Sequence, residues 1–423
     1  MTWLQRYRFR TFIRSSVWIV PLGGILLALV LAPAVRGLDA VTGWTLLGYT
    51  PNGARTMLGA LVASALSFVV FTFSILLVAI QMSSANLSPR VITSFLNDWP
   101  VKIVLGCFVF TYSYAAAVLG RIEETVAQLP MLVALLSSLV SIGAFVYLID
   151  HSAKGMRPVA VVERIAREGQ EAVESVYPHL FKESGSASAG PMDLHLGSPS
   201  RIVAHDHISA VLQAIDIHGL VAAAERDDCV IAMVPQVGEF VATGEPLFRV
   251  FGGRGTLDEN ELRNTVAFGP ARTMQQDPIF AFRVLVDVAA KALSPAINDP
   301  TTAVLAIHQI HRLLRIVGVR DLSTGRVLDR AGRLRLIFRT PDWEDFVRLA
   351  MTEIRLYGTG SIQVPRCLRA MLESLIDVLP PSRTPALRDE LTLLQRSVQR
   401  GFQDSEDQVF AETADTQGVG GAR

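Results

Sequence analysis

The sequence predicts an α-helical transmembrane bundle of four spans. A cytosolic α+β region follows, with a small β-rich, barrel-sandwich-like module and a helical C-terminal part. Three observations carry this. The stretch from Thr56 to Ser83 holds no charged residue and, as a helix, reaches roughly 40 Å, more than the ~30 Å hydrocarbon core of a bilayer. Three more apolar runs, Val17 to Val35, Ile103 to Gly120 and Met131 to Ile149, surround it. From about residue 201 the pattern changes to short β-prone runs and then to amphipathic helical spacing, as expected of a domain that buries one face of each element.

The elements follow in order. Arg6, Arg8, Arg10 and Arg14 alternate with Trp3, Tyr7, Phe9 and Phe12, a basic and aromatic collar suited to the cytoplasmic interface. The first span carries Pro21 and Gly23-Gly24, which membrane helices tolerate. The loop from Arg36 to Arg55 has two arginines against four in the N-terminal segment, so the positive-inside rule places it outside the cytoplasm. The short Arg121-Ile122-Glu123-Glu124 connection joins the third and fourth spans on that same side. Lys154, Arg157, Arg164 and Arg167 follow the fourth. The expected product is a multi-pass protein of the bacterial inner membrane with both termini cytoplasmic.

The domain boundaries read as 1–157 for the membrane part, 158–181 for a connecting amphipathic helix and 182–200 for a linker rich in Gly, Ser and Pro. Residues 201–255 form the β-rich module, 256–402 a mostly helical domain, and 403–423 a polar tail expected to be disordered. Strand-like runs cover His207 to Ile217, Cys229 to Val234 and Pro246 to Val250. The segment from Val237 to Leu247 resembles the hammerhead-like hairpin of lipoyl and biotinyl domains. Their carrier role does not transfer, because no lysine occurs between Lys182 and Lys291. Helices are expected over Pro278 to Leu293 and Pro300 to Val317, with Asp299 as N-cap and Pro300 at the first helical position. Alternation at Leu334, Leu336 and Phe338 predicts a strand. Asp342 caps a helix ended by Gly358, and two further helices run over Ile362 to Val378 and Ala386 to Phe402.

Composition narrows the function. Thirty-nine basic residues balance 39 acidic ones, so the chain lacks the basic field of a nucleic-acid binder. Three isolated cysteines make neither a disulfide framework nor a zinc motif. His205-Asp206-His207 and His308 with His311 lack a third ligand at metal-binding spacing. Gly252-Gly253-Arg254-Gly255 lacks the ending of a phosphate loop. With no nucleophile elbow or paired catalytic carboxylates, the expectation is a protein that is not an enzyme and needs no cofactor or metal.

Several segments resemble a family of bacterial predicted membrane proteins catalogued as a domain of unknown function. They are Met82-Ser83-Ser84-Ala85-Asn86-Leu87-Ser88-Pro89-Arg90 with Phe95-Leu96-Asn97-Asp98, then Ile149-Asp150-His151, then Ala292 to Pro300, which includes Leu293-Ser294-Pro295-Ala296-Ile297-Asn298-Asp299-Pro300. The resemblance implies an inner-membrane protein with a cytosolic C-terminal region. It departs from the family pattern at Ile208-Ser209-Ala210-Val211, where a serine-glycine-tyrosine start to the strand is expected.

The central parts of the spans carry no ionisable residue, which speaks against a proton-driven carrier but leaves room for a channel built on hydroxyls, amides and apolar gates. Ser67, Ser74 and Gln81 recur every seven residues and drift only ~20° per step, so they form one polar stripe with Phe71 beside it. The stripe suits a pathway narrowed by Phe71, while helix packing through small residues, with the serine hydroxyls satisfied by backbone or neighbouring helices, accounts for it more simply. Asn86, Pro89 and Arg90 would sit at the cytoplasmic mouth, or belong to a polar interfacial turn. Arg272, Asp277, Asn298 and Asp299 would face a shared ligand or ion site, or serve as caps and a surface ion pair. The leading expectation is a homo-oligomeric channel-like or passive transport protein for small ions, in contact with the lipid bilayer and carrying cytosolic regulatory domains. The alternative is a membrane-anchored scaffold or sensor that binds a partner or small ligand through those domains.

Overall fold

In lipid an apolar segment must pair its backbone groups internally, and a helix does so. Among the described residues, four helices are long and apolar enough to cross a membrane. The computed structural model describes residues 2–43, 48–86, 98–123, 126–181, 196–323 and 325–419. It divides into two units, Arg10–Ala160 and Val161–Arg423, the latter taking in Met1–Phe9.

After α1 (Trp3–Ser15), the first unit contains α2 (Ile19–Thr42), α3 (Pro51–Asn86), α4 (Trp99–Leu119) and α5 (Gln128–Gly155). Helix α4 is central: half of its span is buried, against 11% for α3. One core cluster gathers Ala28, Ala32, Leu58, Tyr114 and Met131. Another gathers Val104, Leu105, Phe108, Phe145 and Leu148, where Phe68 stacks on Phe108 at 5.2 Å and meets Phe145 edge-on. Helix α2 outruns the expected end at Val35. Its charged residues do not stop it, and it ends only at Gly43, whose φ of +62° closes the helix.

Two glycines set the spacing of α2 and α4. A Cβ at Gly24 would lie 2.8 Å from the Gly106 carbonyl oxygen, and one at Gly106 would lie 2.8 Å from Val20 Cγ1. Small residues let backbones approach in this way. Gly106→Val is therefore expected to lower the stability of the bundle by about 1–3 kcal/mol through overpacking. Gly59→Val, at a position with nothing within 4 Å, should change it little. Thermal unfolding in detergent compares the two directly.

The second unit begins with α6 (Pro158–Val176), which buries Val161, Val162, Ile165, Ala166, Gly169, Ala172 and Val173 along one face. The strands are β1 (Arg201–Ala204), β2 (Ala210–Ile215), β3 (Cys229–Met233), β4 (Phe240–Val241), β5 (Pro246–Gly252), β6 (Val266–Gly269), β7 (Arg326–Leu328) and β8 (Leu334–Ile337). Among the described residues they form a five-stranded sheet ordered β1-β5-β3-β8-β7 and a three-stranded sheet ordered β4-β2-β6. All pairings are antiparallel except β3 with β8. Strands β4 and β5, expected as the arms of one hairpin, lie in different sheets. The sheet begun by residues 201–252 is completed by β8 and β7, far along the chain.

The expected strand over His207 to Ile217 is shorter at both ends. It stops at Ile215 because Asp216 caps a helix, accepting a hydrogen bond from Gly219 N. That helix, α7 (Ile217–Asp227), buries Leu220, Ala223 and Ala224 against the sheet core of Val203, Leu212, Ile231, Phe248 and Leu336. The rest is helical: α8 (Glu259–Arg263), α9 (Pro278–Ala292), α10 (Pro300–Gly318), α11 (Trp343–Tyr357), α12 (Gln363–Val378), α13 (Thr384–Gly401) and α14 (Ser405–Ala411). Asp342 opens α11 with a full capping box to Asp345. Helix α14 falls in the stretch expected to be a disordered tail. It is anchored through the fully buried Arg366, whose guanidinium lies 4.1 Å from the Phe410 ring and donates from Nε to the Thr413 carbonyl at 3.0 Å.

Candidate functional site

The heptad stripe of α3 lies on the side of the helix that its own bundle leaves open. Ser67, Phe71, Ser74 and Gln81 are all exposed, Phe71 at 57%. Ser67 Oγ donates to the Ala63 carbonyl and Ser74 Oγ to the Val70 carbonyl, each at 3.0 Å. Each hydroxyl thus spends its proton on its own helix and keeps oxygen lone pairs to offer. Phe71 touches Phe145 edge-on at 6.1 Å between ring centres. Asn86 is the last residue of α3, while Pro89 and Arg90 lie outside the described residues.

Two of the segments that carried the family resemblance meet where α4 begins and α5 ends. His151 Nε2 and Asp98 Oδ2 are 2.8 Å apart, and the His151 ring stacks on Tyr147. Asp150 pairs instead with Lys154 at 2.7 Å. Lys102, in the first turn of α4, is buried with its ammonium 5.6 Å from the Trp99 ring centre. The residues of the Asp98–His151 pair were both visible in the sequence. Their pairing was not, because 53 positions separate them.

The four candidates of the α+β unit separate into two places. Asp277, only 3% exposed, receives Arg272 Nε at 2.8 Å and Nη2 at 2.9 Å on its two oxygens. Arg272 also lies 5.2 Å from the Phe280 ring centre. Burial pushes the Asp277 carboxyl up to about 6, against the opposing pull of Arg272. Gly238, at a φ of +93°, leaves room for the pair: a Cβ there would fall 2.4 Å from Asp277 Oδ2. Next to it in sequence, Gln276 binds both the N–H and the carbonyl of Ile215 and so ties the loop to β2. Asn298 and Asp299 lie beyond the far end of α9. The 15 residues of α9 span about 22 Å, so they share no pocket with Arg272 and Asp277. Asn298 adopts a φ of +50° in the turn, and Asp299 caps α10 by accepting from Thr302 N at 3.1 Å and Thr302 Oγ1 at 2.5 Å.

His205 and His207 do not converge on a point. Their ring centres are 6.2 Å apart, and His205, 1% exposed, packs on Phe268 with Nε2 3.1 Å from the Ile208 carbonyl. Burial lowers the pKa of both His308 and His311. No group of three or more His, Cys, Asp or Glu side chains suited to a metal ion occurs among the described residues.

The chain matches the family model described as "Predicted membrane protein (DUF2254)" over residues 14–374. It is similar to uncharacterized proteins of Mycobacterium bovis and of two strains of Mycobacterium tuberculosis. Each is 27% identical over 427 residues, covering 96% of this chain and 80% of the relative. No solved structure matches it. The match spans both the four apolar helices and most of the α+β unit, and the chain belongs to the predicted membrane protein family DUF2254.

Proposed function

We propose that the protein is a homo-oligomeric, passive conductor of small ions in the bacterial inner membrane, with both termini cytoplasmic and the α+β unit as its regulatory part. The observation that carries the reading is the exposed stripe of α3. A single bundle packs α4 at its centre and leaves Ser67, Ser74 and Gln81 facing outward, so a path along them forms only where several copies meet. Hydroxyl oxygens with unspent lone pairs suit a partly dehydrated cation, and Phe71 narrows the path. The proposed conductor is not an enzyme and uses no cofactor or metal. Asn86, Pro89 and Arg90 complete its inner mouth in this reading.

Ion flux through purified protein in liposomes tests it. Phe71→Ala is expected to raise flux several-fold and Gln81→Leu to lower it, at matched reconstitution. Absence of flux across several salts and voltages, or flux that neither change alters, overturns the assignment.

A membrane-anchored scaffold or sensor is the second reading. It is favoured by a cavity of about 610 Å³ in the α+β unit, lined in part by His205, Asp206, His207, Arg263, Asn264 and Phe268. A volume of this size falls within the range of small-molecule sites. In this reading the spans serve packing and anchoring alone.

A further inference from the structure

At the end of the bundle where α2 finishes and α5 begins lies a cavity of about 330 Å³. Its floor is dry: Ala32, Leu58 and Met131 are 3%, 0% and 0% exposed. Its rim is charged, with Arg36 and Arg121 among the lining residues. Arg36 spends one N–H on the Arg121 carbonyl, at a long 3.4 Å. Neither guanidinium has an ion-pair partner among the described residues. Asp39 also lines the cavity, but its Oδ1 already accepts the Leu129 N–H at 2.7 Å and so caps the first turn of α5 from a neighbouring helix. The neighbouring Arg55 is turned to the Ile122 and Glu123 carbonyls at 3.0 and 3.3 Å. It holds the connection that carries Arg121.

Two guanidiniums with no ion-pair partner among the described residues, above an apolar floor at the end of apolar helices, match one chemistry. A guanidinium offers a planar fork of donors that fits phosphate oxygens, and the floor accepts the first methylenes of an attached chain. We propose that this cavity binds the phosphate headgroup of a phospholipid, with Arg36 and Arg121 on the phosphate and the glycerol end of the lipid against Leu58 and Met131. The site is independent of the α3 stripe and stands whether or not the protein conducts ions.

The test uses the full chain, purified in detergent and stripped of lipid. Binding is measured for three probes: a short-chain phosphatidylglycerol, a diacylglycerol with the same chains, and inorganic phosphate. Saturable binding of one phosphatidylglycerol per chain is expected, with diacylglycerol and inorganic phosphate far weaker. Arg36→Gln with Arg121→Gln should weaken phosphatidylglycerol about tenfold for each arginine lost, the scale of a hydrogen bond to a charged group. Diacylglycerol binding should not change. Ala40→Trp leaves both arginines in place and fills the cavity mouth, so it should block the phospholipid even if the double variant folds poorly. The proposal fails if diacylglycerol binds as well as the phospholipid, or if inorganic phosphate competes equally, which would mark a small-anion site. It also fails if phospholipid binding survives both the double variant and Ala40→Trp.

Discussion

Replacing Arg272 by glutamine should destabilise the α+β unit by about 3–5 kcal/mol at pH 8, because it leaves the buried Asp277 carboxylate without its partner. At pH 5 the loss should be much smaller. The sign follows from proton linkage. Burial raises the folded-state value of Asp277 to about 6, above the ordinary value of 3.8. Between those values the folded state binds more protons than the unfolded one, so the contribution of this group to stability falls as pH rises through that window. Without Arg272 the folded-state value climbs further and the charged form becomes costlier still. Chemical unfolding of the full chain at pH 5 and pH 8 checks the prediction, and equal losses at both would refute it. Asp277→Asn in the wild-type background should remove the slope between about pH 4 and 6.

Arg366→Ala should release the C-terminal segment. Arg366 is fully buried in α12, donates to the Thr413 carbonyl and lies against the face of Phe410. Asp415 N also bonds the Arg366 carbonyl, and Gln363 bonds the Gly418 carbonyl. Losing the side chain removes a charge-assisted bond and a cation–π contact and opens a cavity, for a total of about 3–5 kcal/mol. The expected readout is loss of amide protection across residues 405–419 together with new proteolytic cleavage after Phe402. Protection that persists there would show that the segment is held by other contacts. A Gly418→Ala change should loosen the same segment more mildly, since Gly418 has a φ of +68° and its added Cβ would meet Val304.

The membrane unit was largely legible because its signal is local. A bilayer selects uninterrupted apolar runs, and each of the four could be found without knowing the others. Helix ends were less legible. Arg36 and Asp39 read as the end of a span, yet α2 continues through them to Gly43, since the polar end of a membrane helix needs no break at its first charge. Helix α7 was hidden for a different reason. Its start lies in Asp216 capping Gly219, inside the run read as a strand to Ile217, and its 11 residues fall between two expected strands.

The sequence by itself determined the four apolar helices ahead of an α+β region, the caps of α10 and α11, and the heptad spacing of Ser67, Ser74 and Gln81, because each depends on residues within a few positions of one another. Only the tertiary structure decided which groups meet. It paired Asp98 with His151, sent β4 and β5 to different sheets, and brought β8 beside β3. It also set Arg272 and Asp277 apart from Asn298 and Asp299 by the length of α9, and packed the expected tail onto Arg366. These contacts join residues far apart in the chain. Their energy comes from burial and charge pairing in three dimensions, which no local pattern encodes.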